Sequence, residues 1–441
     1  MNIDNVIITP SYQRCFDFID GGLPVTFVSG QAGSGKTVLI EYIRHKYRDK
    51  RICVAAPTGI AALNAKGQTC HSLFSFRNGI ITKQAIMGVL ASIYRRNKEE
   101  IFTNMDILII DEIPMVRADI IDGIDMVLRT IRKYDYPFGG VQVLLIGDMF
   151  QLPPIVAQHE EDIFNKMYDT PYFFSSKAFD DSLKYNMIDT VMLTGSFRQK
   201  DNTFVDILND IRVGANIYDR LMQLNQSCFY GKTPWNDTER LNSINICCHN
   251  KVAASINDQQ LHKLPGKMHT FQATITGDFD MKSVITPEVL QLKVNSKVMF
   301  TRNGQEWVNG TIGFVEDFLE EDNSIIVYIP ANGITVAVKR ETWENMEYVF
   351  NEESKSMQEI VKGTFNQFPL ILADAVTVHK SQGLTFDQVK LNVGNGAFAT
   401  GQTYVGLSRC TTLPGIHLAT PLTQRDILVD QRIVDFYKCI E

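Results

Sequence analysis

The chain has 441 residues, of which 44% are hydrophobic and 21% charged, and its formal net charge is −7. Single hydrophobic cores usually stop growing at about 250–300 residues, so this length predicts more than one domain in a folded, globular chain. The acidic balance excludes a protein that is basic over its whole surface, but it leaves room for a nucleic-acid binder with a local basic or dipole-lined groove.

The beginning of the chain predicts no targeting segment. Residues 1–5 lack the basic region and apolar core of a secretory signal. No apolar run approaches the roughly 20 residues of a membrane span. The eight cysteines include no C-x-x-C pair, and several lie inside apolar runs, which is typical of buried free thiols in a reducing compartment. We therefore expect a cytoplasmic protein that has no membrane contact.

A glycine-rich segment, GQAGSGKT at residues 30–37, lies between an apolar run and a stretch with helical spacing. Strand, glycine-rich loop and helix form the context of a phosphate-binding P-loop. The glycines let the backbone curl so that successive N–H groups converge on phosphate oxygens. We assign nucleotide binding to five residues of this segment: Gly33, Ser34, Gly35, Lys36 and Thr37.

Two side chains of this segment have further roles in a P-loop. Lys36 can reach the β- and γ-phosphates, and the Thr37 hydroxyl can be a ligand of Mg²⁺. The alternative is a glycine-rich turn before a surface helix, but the segment matches every fixed position of the pattern. The sequence therefore predicts a nucleoside-triphosphate site.

Two carboxylates and a glutamine follow the next apolar runs. Asp111 and Glu112 come directly after the run 107–110, and Gln151 lies in GDMFQLPP at residues 147–154. Asp111 would hold Mg²⁺, Glu112 would polarise the attacking water, and Gln151 would orient that water or sense the γ-phosphate. An isolated acidic pair usually marks only a strand end, but here it follows a complete P-loop.

The pattern of apolar runs predicts the domain organisation. Near-continuous apolar runs alternate with amphipathic stretches in the first half, which indicates a parallel sheet covered on both faces and a RecA-like α/β core. Similar runs return late in the chain, after short β-like runs punctuated by Asn-Gly turns. The predicted fold class is α/β, with a first domain at 1–180 that includes a small 1B or wedge insertion, a second domain at 181–265 and 371–441, and a small β-barrel at 266–370.

Segments from about residue 13 to residue 409 resemble the Pif1 family of DNA helicases, in the RecD-like branch of superfamily 1 (1B), and suggest a bacterial member. The matching segments are APTGIAA at 56–62, TCHSLF at 69–74, PFGG at 137–140, FRQ at 197–199, WVNGT at 307–311, AVTVHKSQG at 375–383 and YVGLSR at 404–409. The resemblance implies two RecA-like domains and an SH3-like form for the β-barrel insertion.

The resemblance also assigns roles at the nucleotide. Arg198 and Arg409 would point at the γ-phosphate across the cleft between the two domains, where the planar, permanently charged guanidinium suits a phosphate. Gln13 would pair with the adenine edge, and Gly383 would lie beside the nucleotide. For Arg198 a surface ion pair, and for Gln13 plain polar surface, are the alternatives that stay open.

The DNA contacts implied by the resemblance lie on several segments. They are Pro57, Thr58, Gly59, Asn64, His71, Phe74, Asn309, Thr377 and His379. Hydroxyls, backbone N–H groups and histidines suit contacts to phosphates that do not depend on base sequence. Phe74, Phe76 and Trp307 are candidate stacking platforms, with core packing as an equal alternative. Neither histidine has a second metal ligand at suitable spacing, so metal binding by them is not expected.

The sequence thus predicts an ATP- and Mg²⁺-dependent helicase that moves 5′→3′ on single-stranded DNA and unwinds duplex or forked DNA. G-quadruplexes and RNA–DNA hybrids stay open as substrates. The family resemblance implies roles in DNA repair, recombination and telomere maintenance, and we expect a monomer. The chain begins close to Gln13 and ends about 30 residues after Arg409, so we expect no additional terminal domain.

Three other functions are alternatives to a DNA helicase. The guanine-binding N-K-x-D pattern of GTPases ends in an aspartate. Asn250 and Lys251 match its start, but Ala253 stands at the position of the aspartate, so a GTPase is excluded. A clamp that binds ATP without unwinding would not need Glu112, Gln151 and Arg409. A RecD-like motor subunit of a larger recombination or repair complex stays open as the alternative.

Overall fold

The structure is a computed structural model that describes residues 6–440 apart from 78, 196, 200, 230–242, 280, 282, 283, 285 and 352–355, with only the backbone of 346–351 and 356–359. It contains two parallel α/β sheets and an all-β insertion, so the predicted α/β class is confirmed. Among the described residues, no helix is both long and apolar enough to cross a membrane. Seven cysteines are buried free thiols, and Cys439 is exposed.

The first domain is built on a six-stranded sheet in the order β3-β2-β4-β5-β1-β6. Its strands are β1 Val25–Gly30, β2 Ile52–Ala56, β3 Gln68–Thr69, β4 Ile107–Ile110, β5 Gln142–Gly147 and β6 Ile188–Leu193. Its helices are α1 Pro10–Asp20, α2 Lys36–Lys46, α3 Gly59–Asn64, α4 Cys70–Phe74, α5 Lys83–Arg95, α6 Glu99–Asn104, α7 Ala118–Arg132, α8 Glu161–Phe164 and α9 Lys177–Lys184. All pairs are parallel, so the phosphate loop after β1 and the acidic pair after β4 emerge at one edge of the sheet.

The second domain has a four-stranded parallel sheet in the order β18-β7-β19-β20. Its strands are β7 Ser243–Cys247, β18 Ala375–Thr377, β19 Gln388–Asn392 and β20 Ile416–Leu418. Its helices are α10 Asn202–Val213, α11 Ile217–Cys228, α12 Asn250–Lys263 and α13 Gln402–Leu407. The short helix α13 ends two residues before Arg409, so its orientation determines where that arginine points.

The insertion between β7 and β18 consists of antiparallel strands. They are β8 His269–Gln272, β9 Thr274–Gly277, β10 Val289–Leu292, β11 Lys297–Phe300, β12 Ile312–Leu319, β13 Ser324–Ile329, β14 Ile334–Lys339, β15 Glu341–Asn351, β16 Ser356–Gln367 and β17 Leu370–Leu372. They form sheets β14-β13-β12-β11-β17, β15-β16-β9 and β10-β8. The first of these encloses its own apolar core, and β15 also lies against α6 and β3 of the first domain. The all-β insertion is confirmed, and its SH3-like form stays a prediction.

Two predicted domain boundaries were wrong. Strand β6 pairs along its length with β1, so the first domain continues past residue 180 to residue 193. The last helix, α14 Gln431–Ile440, was assigned to the second domain but packs into the core of the first. Its Phe436 ring stacks on Phe174 at 4.3 Å between centroids. An amphipathic pattern shows that a helix has a buried face, but it does not show which domain covers that face.

We predict that Phe436→Ala destabilises the first domain although the residue lies near the end of the chain. Removing a buried phenylalanine typically costs about 3–5 kcal/mol through lost contacts and the remaining cavity. Thermal and denaturant unfolding of the variant should therefore begin earlier than in wild type. Cys439→Ala on the exposed face of α14 is the control and should unfold like wild type. Equal stability of the two variants would contradict the packing of α14 on the first domain.

Candidate active site

The loop between β1 and α2 has the conformation that its glycines permit. Gly33 and Gly35 have φ angles of 80° and 91°, in the left-handed region that favours glycine. A Cβ on Gly30 would lie 2.3 Å from the Ser34 Oγ, so the tight turn also depends on that glycine. The loop thus presents the first N–H groups of α2, and the positive end of its dipole, to the space in front of the helix.

The Lys36 ammonium is held inside this loop. Its Nζ donates to the carbonyl oxygens of Gly30 at 2.7 Å and Gln31 at 3.1 Å. Burial lowers the pKa of Lys36, and the negative charges of Asp148 and Glu112 only partly oppose this effect. A buried cation of this kind gains from a further anion nearby.

Two buried carboxylates lie beside the loop. Asp111 follows β4, and burial together with the charge of Glu112 raises its pKa to about 7. Glu112 has a φ of 49°, and burial also raises its pKa. Buried polar atoms normally have partners, yet among the described residues the Glu112 Oε2 and Ser34 Oγ have none. Orphaned oxygens beside a lysine fit a site for a phosphate and a divalent cation.

A cleft of about 420 Å³ between the domains brings most of the predicted nucleotide residues together. The predicted residues that line it are Gly33, Ser34, Gly35, Lys36, Thr37, Glu112, Gln151, Arg198, Gly383 and Arg409. The first domain contributes the loop, Glu112 and Gln151, and the later segments contribute both arginines and Gly383. Neither part of the chain forms this cleft alone.

The two arginines are positioned by backbone carbonyls. Arg198 donates to the carbonyl oxygens of Ser408 at 3.3 Å and Gly383 at 3.4 Å. Arg409 is buried, and its Nε donates to the Val405 carbonyl at 3.0 Å. Burial and the neighbouring charge of Arg198 lower the pKa of Arg409 to about 9. Two adjacent buried guanidinium groups repel each other, so the cleft favours a multiply charged anion.

A second groove of about 470 Å³ adjoins this cleft and shares Thr37, Glu112 and Gly383 with it. It contains six predicted DNA-contact residues and, with Thr37, both predicted metal ligands: Pro57, Thr58, Gly59, Asn64, His71, His379 and Asp111. Burial lowers the pKa of both His71 and His379. Both imidazoles are therefore neutral at pH 7 and offer N–H donors rather than charges.

Six predicted contacts lie outside these two cavities, and three of them, Gln13, Phe74 and Phe76, belong to the first domain. Gln13 is exposed, and its amide donates to Asp17 at 2.8 Å, whereas the neighbouring Tyr12 hydroxyl donates to the Gly35 carbonyl at 2.8 Å. Phe74 is fully buried and packs on Phe102 at 5.1 Å, so core packing replaces the predicted stacking role. Phe76 is buried in the same cluster.

The other three predicted contacts, Thr377, Trp307 and Asn309, line neither cavity. Thr377 is buried, and its hydroxyl oxygen accepts from the Lys380 N–H at 3.5 Å. Trp307 stacks on Phe300 at 4.6 Å inside the insertion. Asn309 lines neither the cleft nor the groove, although its Oδ1 is buried and unpaired among the described residues. These three residues are not brought to the groove in this structure.

Two residues at or near the cleft, Phe197 and Asp148, had no separate role predicted from the sequence. Phe197 is 65% exposed and lines the cleft, and its N–H donates to the Gly33 carbonyl at 2.8 Å. Asp148 is fully buried and contacts Arg212 and Tyr404 of the second domain. The available signal was that Phe197 lies in FRQ and Asp148 in GDMFQLPP. The partners of both residues are distant in sequence.

Comparisons with known proteins show which family this chain resembles. A model described as PIF1-like helicase matches residues 18–220. The human ATP-dependent DNA helicase PIF1 is 30% identical over 423 residues, which cover 93% of this chain and 60% of that protein. The chain thus spans about 60% of the length of this curated relative. A structure of Bacteroides sp. Pif1 with ADP-AlF4 is 36% identical with a TM-score of 0.86, covering 99% of this chain and 97% of that one.

A second structure of the Bacteroides protein, bound to single-stranded DNA, is 37% identical over the same shares of the two chains, with a TM-score of 0.68. The present structure therefore superposes more closely on the ADP-AlF4 complex than on the DNA-bound structure.

Proposed function

Because the chain belongs to the PIF1-like helicase family, we propose that it is an ATP-dependent DNA helicase that moves along single-stranded DNA and unwinds duplex or forked DNA. The observation that carries this proposal is the pair of joined cavities between the domains. One holds Lys36, Glu112 and Arg409, and the other holds His71 and His379. A nucleotide in the first cavity and a DNA strand in the second would both contact the residues that line the two cavities together.

The residues proposed for phosphoryl transfer come from both domains. Lys36 and the loop N–H groups would bind the β- and γ-phosphates, and Glu112 would accept the proton of the attacking water. Thr37 and Asp111 would hold Mg²⁺, which would neutralise charge on the phosphates when bound. Arg198 and Arg409 would stabilise the charge that develops on the γ-phosphate. The exposed Phe197 ring is suited to the face of the base.

The second groove is suited to binding a DNA strand without recognising its base sequence. Thr58 and the backbone N–H groups of α3 face a groove whose histidines are neutral donors. Such groups bind phosphate and sugar oxygens of any sequence. Closure of the domains on ATP and opening after hydrolysis would alternate the grip on the strand, and this alternation would move the protein along it.

The first prediction concerns direction. We expect unwinding of a duplex with a 5′ single-stranded tail and little unwinding with a 3′ tail, because the segments at 375–383 and 404–409 resemble the 5′→3′ branch of the family. The measurement is strand displacement on matched substrates that differ only in tail polarity. Equal or reversed preference would contradict the assignment to this branch.

The second prediction isolates the general base. Glu112→Gln keeps the shape of the side chain but removes the carboxylate, so turnover should fall roughly 10²–10⁴-fold, the usual size of a general-base contribution. Binding of a fluorescent ATP analogue should stay close to wild type. Glu160→Gln, which alters a carboxylate outside the cleft, is the control. Glu112 is not the base if turnover stays within a few-fold of wild type.

The third prediction concerns the arginine from the second domain. Arg409→Ala should keep DNA affinity and most ATP affinity but lose about 10³–10⁵-fold in DNA-stimulated turnover, the range for arginines that stabilise phosphoryl transfer. Arg409→Lys should rescue poorly, since an ammonium cannot reproduce the planar fork. The measurement is steady-state ATPase with and without oligo-dT. Strong stimulation of the alanine variant by DNA would exclude this role.

A further inference from the structure

Three buried side chains join the two domains directly beneath the phosphate loop. The Tyr404 hydroxyl on α13 accepts from the Ala32 N–H at 3.0 Å and donates to the Asp148 Oδ2 at 3.0 Å. The other carboxylate oxygen of Asp148 accepts from the Nε of Arg212 at 2.9 Å and from its Nη2 at 2.8 Å. We refer to Tyr404, Asp148 and Arg212 as the interdomain network.

The network is largely buried, and it pairs one negative with one positive charge. Tyr404 is 4% exposed and Asp148 is 0% exposed. Burial alone would raise the pKa of Asp148, but the charges of Arg212 and Lys36 and the bonds from Arg212 and Tyr404 outweigh it and lower that pKa. The Arg212 guanidinium also lies 4.4 Å from the centre of the Phe150 ring. A fully satisfied polar network in a low-dielectric interior is rigid.

The same helix turn also holds the arginine of the cleft. The Ser408 N–H donates to the Tyr404 carbonyl at 2.9 Å. Arg409 donates through its Nε to the Val405 carbonyl at 3.0 Å and through its Nη2 to the Ser408 Oγ at 2.8 Å. Tyr404 therefore ties to the phosphate loop the element that orients Arg409.

We propose that Tyr404 is a positioning residue, which uses Asp148 and Arg212 to fix α13 against the phosphate loop so that Arg409 meets the γ-phosphate bound by Lys36. This inference rests on the ATPase activity proposed above. Both bonding directions of the Tyr404 hydroxyl are used by Ala32 and Asp148, so it acts through Arg409 rather than on the nucleotide. Loss of the hydroxyl leaves a buried N–H unpaired and loosens α13, which affects turnover more than binding.

The test is Tyr404→Phe, assayed as ATPase against ATP concentration at saturating oligo-dT. The kcat should fall about 10- to 100-fold, as expected when a reacting group is slightly misplaced, while KM stays within about threefold. The matched control is Tyr168→Phe, whose hydroxyl donates to the buried Asp122 at 2.9 Å wholly within the first domain. Tyr168→Phe should keep wild-type kcat and KM even if its melting temperature falls as much as that of Tyr404→Phe.

A double variant separates positioning from a general loss of stability. If Tyr404 acts through Arg409, then Tyr404→Phe combined with Arg409→Ala should be no slower than Arg409→Ala alone. The inference is overturned if Tyr404→Phe keeps kcat within about twofold, if Tyr168→Phe loses kcat equally, or if the losses in the double variant are additive. A wild-type protein without DNA-stimulated ATPase would instead overturn the proposed function.

Discussion

The salt bridge between Asp148 and Arg212 lies where the two α/β domains meet, and both side chains are largely buried. A buried ion pair adds little net stability, but removal of one partner leaves an uncompensated charge and typically costs about 3–5 kcal/mol. The pair therefore acts mainly as a constraint on the register of the domains. The backbones touch beside it, since a Cβ on Gly401 would lie 2.4 Å from the Gln151 carbonyl oxygen. This side of the junction is suited to serve as a pivot, and the cleft lies next to it.

The opposite requirement holds inside the cleft, where charges are left without full compensation. Burial lowers the pKa of Lys36, Arg198 and Arg409, which means that each charged form is disfavoured there. A bound polyphosphate would offset that cost in both domains at once, and the gain exists only when the domains are close together. Nucleotide binding is thereby coupled to the distance between the domains, because a ligand shifts a conformational equilibrium only by its differential affinity.

Local sequence was sufficient for the parts of the site that each lie at the end of one strand. The phosphate loop, Asp111 with Glu112, and Gln151 could be predicted because their spacing and their position after a strand are properties of short segments. The partners across the junction could not be predicted in this way. Arg212 and Tyr404 reach Asp148 over 64 and 256 positions of the chain, and no local pattern encodes such a contact. For the same reason the packing of α14 was missed, since an apolar face does not show which element covers it. The burial of Phe74 was one of two alternatives between which the sequence alone could not decide.

The contacts between the domains also differ in how easily they can be broken. The junction at Asp148 is buried and fully hydrogen-bonded, so its separation would expose an ion pair and an unpaired N–H group. Strand β15 of the insertion contacts α6 and β3 of the first domain, whereas the apolar core of the insertion lies elsewhere. Because separation at Asp148 is costly, the buried junction keeps Arg409 in register with the phosphate loop.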